Sequence, residues 1–476
     1  MGNSLVWLRD DLRLTDNPAL EAACSRGGDV AVVYVLDEES EGIRALGGAA
    51  KWWLHGSLEK FAATLARLGA PLILRRGPAG PVLRELVAEL EVDSVFWNRR
   101  YGLAERTVDE EFKTWLRDSA IAVQSFQANL LFEPWQVSTG AGAPYKVFTP
   151  FWRACTSAGE PRLPLPAPER INGLDARSDP LEAWNLRPNA PDWSGGLAAE
   201  WTPGETGAHD RLADFVDRNA DGYALGRERP AEPATSKLSP HLRFGEISPF
   251  TVWQALRGLP GAAEDVRSFR TELGWREFCW QLLYFNPELA TVNYRPEFNH
   301  FQWDTTSAAT PSDSTRSWQR GRTGYPLVDA GMRQLWQTGW MHNRIRMVTA
   351  SFLAKNLLTD WRVGEQWFWD TLVDADAASN SANWQWVAGS GADAAPYFRI
   401  FNPVTQSRKF DPEGTYLHRF LPELAAAEGR IVHEPWTDPA VAPAYPLPVV
   451  ELGPTRQRAL AAYAAMKAAA AAVDDD

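Results

Sequence analysis

The sequence predicts a two-part fold, with a doubly wound parallel α/β sheet domain first and an all-α domain after it. Over the first 130 residues, short β-branched runs alternate with helical patterns, which is typical of a parallel sheet with crossover helices. Between residues 140 and 207, Pro, Gly and Trp dominate and the periodicity disappears, which indicates a long connector. From Ala208 onward, apolar residues recur at helical spacing. The expected domains are residues 1–130, 131–207 and 208–476.

Each predicted element follows its own local pattern of apolar residues. The predicted strands are Leu5–Leu8, Val30–Leu36, Pro71–Arg75, Ser94–Asn98 and Val123–Phe126. The helices predicted between them are Pro18–Ser25, Ala49–Leu68, Pro78–Leu90 and Ala104–Leu116. The clearest helices of the C-terminal part are Asp265–Phe285, Asp329–Thr338, Asn343–Leu358 and Glu365–Leu372. The sheet domain contains no GxGxxG or GxxxxGK[ST] motif, so it offers no phosphate-binding loop of those kinds.

Composition limits the class of protein. The three cysteines, Cys24, Cys155 and Cys279, stand far apart, which predicts a reducing compartment and no metal site. The N-terminus does not resemble a secretory signal, and no apolar run is long enough to span a membrane. We therefore expect a soluble, cytoplasmic protein. The net charge of −12 argues against a nucleic-acid binder, although the Arg and Lys residues after position 343 leave a local basic face open.

Residues 323–403 combine tryptophans with polar side chains. A polar group beside buried indoles must be satisfied, or it costs stability. This composition therefore indicates an aromatic-walled cavity for a polar, ring-shaped ligand, with tryptophans close enough to pass electrons. The tryptophans of the segment are Trp336, Trp340, Trp361, Trp367, Trp369, Trp384 and Trp386.

Four shorter motifs hold candidate site residues. TSKLSPHLRFGEISP (235–249) places hydroxyl side chains before a helix, which suits either a pyrophosphate or ordinary helix capping. In ELGWREF (272–278), Glu272, Trp275 and Arg276 share a helix face. That face is either a site or a surface ion pair beside a core Trp.

The other two motifs lie in the Trp-rich segment. In WMHNRIRM (340–347), Asn343, Arg346 and Met347 share a face, and the alternative is a core Met among solvated polar groups. We expect His342 to be structural. In VDADAASN (373–380), the two acidic residues could be acid–base groups, metal ligands or caps, and Arg346 is a plausible partner for one of them.

Several long motifs in order along the whole chain resemble DNA photolyases of the photolyase/cryptochrome family. They include VWLRDDLRLTDNPAL, TSKLSPHLRFGEISP, ELGWREF, GWMHNRIRM and SNSANWQWVAGSGADAAPYFRIFNP. The resemblance implies an α/β antenna domain, a connector and a helical FAD domain. It also implies a monomer that repairs cyclobutane pyrimidine dimers in DNA by light-driven electron transfer from reduced FAD to a flipped-out dimer. The alternative is a cryptochrome-like photoreceptor that signals through a protein partner.

The resemblance also implies a role for individual positions. FAD would be bound by Tyr223, Thr235, Ser236, Lys237, Leu238, Ser239, Arg276, Asn343, Arg346, Asp374, Asp376 and Asn380. The catalytic lesion pocket would be lined by Glu272, Trp275, Asn343, Met347 and Trp386. Electrons would pass through Trp384, Trp361 and Trp303. DNA phosphates would be held by Arg344 and Arg399. The remaining tryptophans Trp336, Trp340, Trp367 and Trp369 are expected to be core.

Particular positions discriminate within the family. Asn343 stands where six-four photolyases carry a second His, which favours cyclobutane dimers, and Asn380 stands where plant cryptochromes carry Asp. The sequence around residue 380 resembles that of class III photolyases more than that of class I photolyases. Glu105 resembles a folate-contacting acid, whereas Val292 and Asn293 replace the Cys and Lys of class I folate binders. Methenyltetrahydrofolate in a different pose is expected as the antenna ahead of a deazaflavin, and an empty antenna site stays open.

Overall fold

The computed structural model describes residues 2–259, 263–304, 310–394 and 398–474. It divides into two compact units. The sheet unit comprises residues 1–145, 149–221 and 236–287, and the helical unit comprises residues 146–148, 222–235 and 288–476. This division by compactness differs from the predicted boundaries at 130/131 and 207/208, which stay a prediction.

Within its described residues, the sheet unit is built on one parallel sheet with strand order β3-β2-β1-β4-β5. The strands are β1 (Asn3–Leu8), β2 (Val30–Leu36), β3 (Leu72–Arg76), β4 (Val92–Asn98) and β5 (Ala122–Phe126). The crossover helices are α1 (Pro18–Ser25), α2 (Gly48–Leu68), α3 (Ala79–Glu89) and α4 (Leu103–Asp118). The predicted doubly wound sheet is confirmed, and every residue of β2 is buried because helices cover both faces.

Seven further helices lie between residues 148 and 285 of the described chain. They are α5 (Phe148–Ser157), α6 (Gly195–Glu200), α7 (Glu205–Arg218), α8 (Tyr223–Gly226), α9 (Ser239–Arg243), α10 (Pro249–Ala255) and α11 (Ala263–Phe285). The prediction of a connector without periodicity was therefore wrong at α5, whose Phe151 and Cys155 are buried one turn apart. It was wrong also at α6, and between α5 and α6 Gly173 pairs with Val30 at the start of β2.

The described part of the helical unit consists of α-helices of 4 to 23 residues, short 3-10 turns and one π-helical turn. The helices after α8 are α12 (Asp313–Gln319), α13 (Pro326–Thr338), α14 (Asn343–Ser351), α15 (Trp361–Thr371), α16 (Ala377–Ala388), α17 (Pro403–Phe410), α18 (Thr415–Phe420), α19 (Arg430–His433) and α20 (Leu452–Asp474). The single helix predicted over 343–358 was wrong at its end. The backbone turns π-helical at Phe352–Asn356, and Leu358 takes a left-handed φ of 55°.

The tryptophans of this unit do not all pack in its core. Trp340 and Trp369 are each 8% exposed, as predicted for core residues. Trp336 is 55% exposed, so the prediction that it is core was wrong. Its ring stacks on Trp367 with centroids 6.2 Å apart. Trp336 lies in the last turn of α13, on the same helix face as the buried Met332, so that face is covered one turn earlier but left exposed at Trp336.

Among the described helices, none combines the length and the apolar character that crossing a bilayer requires.

Candidate functional site

An ion pair joins α14 to the segment before α16. Arg346 Nη2 lies 2.7 Å from Asp374 Oδ2, and Arg346 Nε donates to the Met341 carbonyl at 2.7 Å. The Asp374 side chain is 3% exposed. The partner predicted for this carboxylate is therefore present, which stabilises a charge that burial alone would penalise. His342, predicted to be structural, caps α14 by accepting from Arg344 N at 3.2 Å.

Asp376 is the N-cap of α16. Its Oδ1 accepts from Ala378 N at 3.0 Å and from Ser379 N at 2.7 Å. Of the alternatives left open by the sequence, capping is thus realised. Within the described part of the chain, no hydrogen bond engages Oδ2 of this half-buried side chain. Asp376 therefore keeps one carboxylate oxygen available as an acceptor.

The amide of Asn380 is fixed by a buried carboxylate. Asn380 Nδ2 donates to Glu365 Oε1 at 2.8 Å and to the Glu365 carbonyl at 3.0 Å. Asn380 is 7% exposed and Glu365 1%. Because both contacts use the amide nitrogen, the side-chain oxygen of Asn380 is the atom that remains to accept a hydrogen bond.

Trp384 lies directly over α15. A Cβ at Gly364 would stand 2.1 Å from Trp384 Cη2, so only glycine permits this approach. Gly364 lies three residues after Trp361, and the Trp361 indole donates to Asn293 Oδ1 at 2.9 Å. The predicted electron carriers Trp384 and Trp361 are therefore held by the same helix.

The third predicted carrier lies on a segment that reaches the start of α15. Asp304 N donates to the Leu358 carbonyl at 2.7 Å, which pairs the segment after Trp303 with the chain entering α15. The Trp303 ring stands 4.3 Å from Phe301. Trp386, predicted for the lesion pocket, is half-buried and donates to the Asp393 carbonyl at 3.0 Å.

A cavity of about 470 Å³ opens beside α14 and is called the Arg344 cavity below. Arg344 pairs with Glu228 through two nitrogens, with Nε 2.5 Å from Oε2. Burial raises the pKa of Glu228, but Arg344 and other neighbouring cations lower it by more, so the pKa of Glu228 is below its usual value. Met347 is half-buried and lies 3.6 Å from Arg344 Nη1, so the core-Met alternative was wrong. The other lining residues are Arg399, Ile400, Phe401, Asn402, Thr405, Gln406, Lys409 and Phe410.

The remaining predicted residues of the helical unit lie apart from these contacts. Asn343 is exposed at the first turn of α14. Tyr223 is 6% exposed, and the Arg227 guanidinium lies 5.6 Å from its ring centre. Thr235 is half-buried at the end of its segment.

Residues 236–239 of the predicted phosphate-binding segment belong to the sheet unit and lead into α9. Lys237 takes a φ of 50° and pairs with Glu200. Leu238 is the N-cap of α9, and no side chain caps that helix. The capping alternative was therefore wrong for α9, and Ser236 Oγ instead accepts from the amide of Leu238 at 3.4 Å.

The predicted site residues Glu272, Trp275 and Arg276 lie on α11, in the sheet unit. Arg276 Nη1 donates to the Asn129 carbonyl at 2.7 Å and lies 3.2 Å from Glu277 Oε1. Burial raises the pKa of Glu277 to about 7, although Arg276 and the Phe132 amide act in the opposite direction. Trp275 is half-buried and meets Phe278 edge-on at 6.0 Å. Glu272 is half-buried on the same helix.

Sequence reasoning missed three residues that hold predicted ones in place. They are Glu365 for Asn380, Asn293 for Trp361 and Glu228 for Arg344. The only local signal was Glu365, a carboxylate one residue from a Gly in an otherwise aromatic helix. The other two partners are distant in sequence, and no local pattern identifies them.

Comparison with known proteins gives matches along the whole chain. The sequence model described as "DNA photolyase" matches residues 4–169, and the one described as "FAD binding domain of DNA photolyase" matches residues 269–465. A deoxyribodipyrimidine photo-lyase of Agrobacterium fabrum is 51% identical over 97% of this chain and 98% of its own. Cryptochrome-1 of Arabidopsis thaliana is 36% identical over 96% of this chain and 69% of its own.

A solved structure is similar over the same length. The crystal structure of a bacterial class III photolyase from Agrobacterium tumefaciens superposes with a TM-score of 0.94 and 50% sequence identity. The match covers 98% of each chain.

Proposed function

The chain belongs to the DNA photolyase family, and from that premise we propose that it splits cyclobutane pyrimidine dimers in DNA, using light and reduced FAD. The observation that carries the proposal is the 51% identity with a deoxyribodipyrimidine photo-lyase over nearly the full length of both chains. Identity with a cryptochrome is lower, at 36%. The protein is accordingly an enzyme, a deoxyribodipyrimidine photo-lyase, and binds FAD.

Several unfilled hydrogen-bonding positions fit FAD. Asp376 Oδ2 is an available acceptor for an imide N–H, and the Asn380 oxygen is an available acceptor for a second flavin N–H. The Trp384 indole nitrogen is buried and has no acceptor among the described residues, as expected beside a polar group that completes the site. When bound and reduced, FAD supplies the electron that light drives into the dimer.

The residues around that position control charge and orientation. Arg346 and Asp374 form a neutral pair that fixes both side chains without adding net charge. Glu365 holds the Asn380 amide so that its oxygen, rather than its nitrogen, is presented. Tyr223, Thr235 and the run 236–239 would contact the FAD phosphates, and Arg276 and Asn343 would contact its folded-back part.

For the lesion, we propose that Trp275 and Trp386 form the apolar wall for the two pyrimidines, with Met347 completing it. Half-buried indoles suit a base that leaves the duplex, because stacking on the indole rings replaces stacking on the neighbouring base pairs. Glu272 and Asn343 would hydrogen-bond the pyrimidine edges and stabilise the charge that develops there. Arg399 and Arg344 would hold phosphates. We also propose that the protein acts in the cytoplasm and as a monomer.

Trp384, Trp361 and Trp303 would return electrons from the surface to FAD. Gly364 supports this assignment because it brings the Trp384 ring onto α15. Asn293, which stands where class I folate binders carry Lys, instead anchors the Trp361 indole.

We propose methenyltetrahydrofolate as the antenna, at an aromatic shelf in the sheet unit. The Arg106 guanidinium lies 4.0 Å from the Tyr284 ring centre, and Tyr284 lies 5.5 Å from Trp135. Trp135 is 47% exposed, and Glu105 is half-buried beside Arg106. A flat pterin stacks well on such a surface while a carboxylate accepts its N–H groups. An absorption spectrum of the purified protein tests this, since a deazaflavin absorbs at longer wavelength.

One assay tests the main proposal. Chemically reduced protein is mixed with an oligonucleotide that carries a single cyclobutane dimer and is exposed to blue light. Restored thymines, with no repair in a dark control, are expected. Intact bound FAD without repair would contradict the proposal, and light-dependent binding of a protein partner would then favour the cryptochrome function.

A further inference from the structure

A small cavity in the helical unit is lined by three cationic side chains. It lies beside Trp386, and its charged lining residues are Arg295, Lys355 and Arg399. Its free space is about 20 Å³, which is room for about one water-sized group such as a single phosphate oxygen. It is called the Lys355 cavity below, and its lining includes Phe398 and Tyr463, whose stacked rings have centroids 4.6 Å apart.

Lys355 is the deepest of these cations. It lies on the π-helical turn and is 3% exposed. Its Nζ donates to the Arg399 carbonyl at 2.5 Å and lies 4.2 Å from the Phe398 ring centre. A neutral carbonyl and an aromatic face stabilise an ammonium only partly. A buried charge of this kind needs an anion nearby to be fully stabilised.

The charges around Lys355 are predominantly positive. Arg399 lies on the segment that Lys355 contacts, and Arg295 lines the same cavity. The carboxylate of Glu297 is engaged by Arg295, at 2.6 Å from Nη2. From α20, Arg458 donates to the Asn356 carbonyl at 2.9 Å, and Lys467 lies over Tyr463. Burial, and then Arg399, lower the pKa of Lys355 to about 7, which agrees with a cation that no carboxylate of the described residues pairs with.

We propose that the Lys355 cavity binds a backbone phosphate of the DNA strand that carries the lesion, next to the flipped dimer. This inference rests on the proposed repair function and extends it to Arg295 and Lys355, neither of which the sequence indicated. Two lining residues carry the link to DNA. Trp386 belongs to the proposed lesion wall, and Arg399 also lines the Arg344 cavity. One non-bridging oxygen enters the cavity and accepts from Lys355, while Arg295 and Arg399 bind the phosphate from its rim.

The test is a double-mutant cycle that combines protein variants with DNA in which single phosphates are neutralised. Affinity is measured for dimer-containing oligonucleotides in which one phosphate at a time is replaced by a neutral methylphosphonate. The proteins are wild type, Lys355→Met, Arg295→Gln and the control Lys60→Met, which removes the same charge from an exposed site on α2. We expect one methylphosphonate position to cost wild type about tenfold in affinity. The same methylphosphonate should have little effect on the affinity of Lys355→Met and Arg295→Gln, and should lower the affinity of Lys60→Met as much as that of wild type.

Proton uptake provides a second measurement. At pH 8 a lysine with a pKa near 7 is mostly neutral in the free protein, and a bound phosphate raises its pKa, so binding takes up close to one proton. Calorimetry in buffers of different ionisation enthalpy measures this number. We expect proton uptake in wild type and in Lys60→Met, and its loss in Lys355→Met.

The two proposals fail in different ways. If wild type repairs dimers but every methylphosphonate effect is the same in all four proteins, the phosphate site is wrong and the repair function stands. If inorganic phosphate alone causes the proton uptake and DNA does not, the cavity binds only a free anion and the proposal is wrong. If wild type neither binds nor repairs dimer-containing DNA, both proposals are wrong. Arg295→Gln keeps the test decisive if Lys355→Met does not fold.

Discussion

Two regions of the helical unit differ in what surrounds their polar side chains. One is the α15–α16 pair, and the other is the face around Arg344 and Arg399. Between α15 and α16, protein partners fix the polar groups. Glu365 holds Asn380, and Gln385 bonds the carbonyls of Leu289 and Val292 and the amide of Tyr294. Around Arg344 and Arg399, cationic side chains line two cavities, one of about 470 Å³ and one of about 20 Å³.

The difference separates residues that must stay at fixed positions from residues that must bind a ligand. Electron transfer requires carriers at fixed distance, so buried hydrogen bonds and close packing position them before any ligand arrives. Binding of a polyanion draws instead on cationic side chains, which its own phosphates neutralise. Substitutions in the first region should therefore change photochemistry and stability, and substitutions in the second should change affinity and its salt dependence.

The largest expected effect is on photoreduction, from Trp384→Phe. Phenylalanine fills most of the space but is far harder to oxidise, so light should no longer reduce oxidised FAD in the variant. Photoreduction is followed by absorbance under blue light. Repair by chemically pre-reduced variant should stay close to wild type. Normal photoreduction in Trp384→Phe would show that Trp384 is not the carrier next to FAD.

The next effect is on stability, from Gly364→Ala. The new Cβ would stand 2.1 Å from Trp384 Cη2, so the ring or the helix must move, and we expect a loss of about 1–3 kcal/mol in the free energy of unfolding. Gly453→Ala on α20 is the matched control, because nothing lies within 4 Å of its Cβ. There alanine should stabilise by up to about 1 kcal/mol. Equal effects on urea unfolding in both variants would contradict the close packing of Trp384 on α15.

Sequence alone predicted the regions whose structure depends on local pattern. The bounds of β2 and α1 coincide with their predictions, because β-branched residues fill the strand and Asn17 with Pro18 starts the helix. The Arg346–Asp374 pair was anticipated because a buried carboxylate requires a cation. The roles of the site residues in FAD and DNA binding remain predictions that only experiments on ligands can test.

What sequence could not predict depends on contacts between distant residues. Asn293 and Trp361 are separated by 68 residues, and Glu228 and Arg344 by 116. The π-helical turn that places Lys355 inside the core has no composition signal, since Phe352–Asn356 reads as ordinary amphipathic helix. Exposure of Trp336 was missed for a similar reason, because periodicity gives a helix's apolar face but not which neighbour covers it.

A smaller effect in the rigid region is expected from Asn293→Ala. The buried Trp361 indole N–H would then have no acceptor from Asn293, which should cost about 1–3 kcal/mol in unfolding free energy and lower the photoreduction yield. The control is Asn299→Ala, which removes the other partner of Asn293 but leaves the Trp361 bond intact. If both variants photoreduce equally, Asn293 does not hold Trp361 in a position that matters for electron transfer.

The smallest effect belongs to the face around Arg344 and Arg399 and has the opposite sign. Glu228 neutralises Arg344 inside the Arg344 cavity, so Glu228→Gln should release the guanidinium for phosphate and raise DNA affinity by about fivefold. The plot of log affinity against log salt should steepen by up to about 0.7, as for one added contact to a single strand. Glu232→Gln removes the same charge from an exposed pair with Arg229 and should change neither value appreciably. Equal gains in affinity in both variants would show that only the net charge of the protein matters. A gain confined to Glu228→Gln would show that Glu228 competes with DNA phosphates for Arg344.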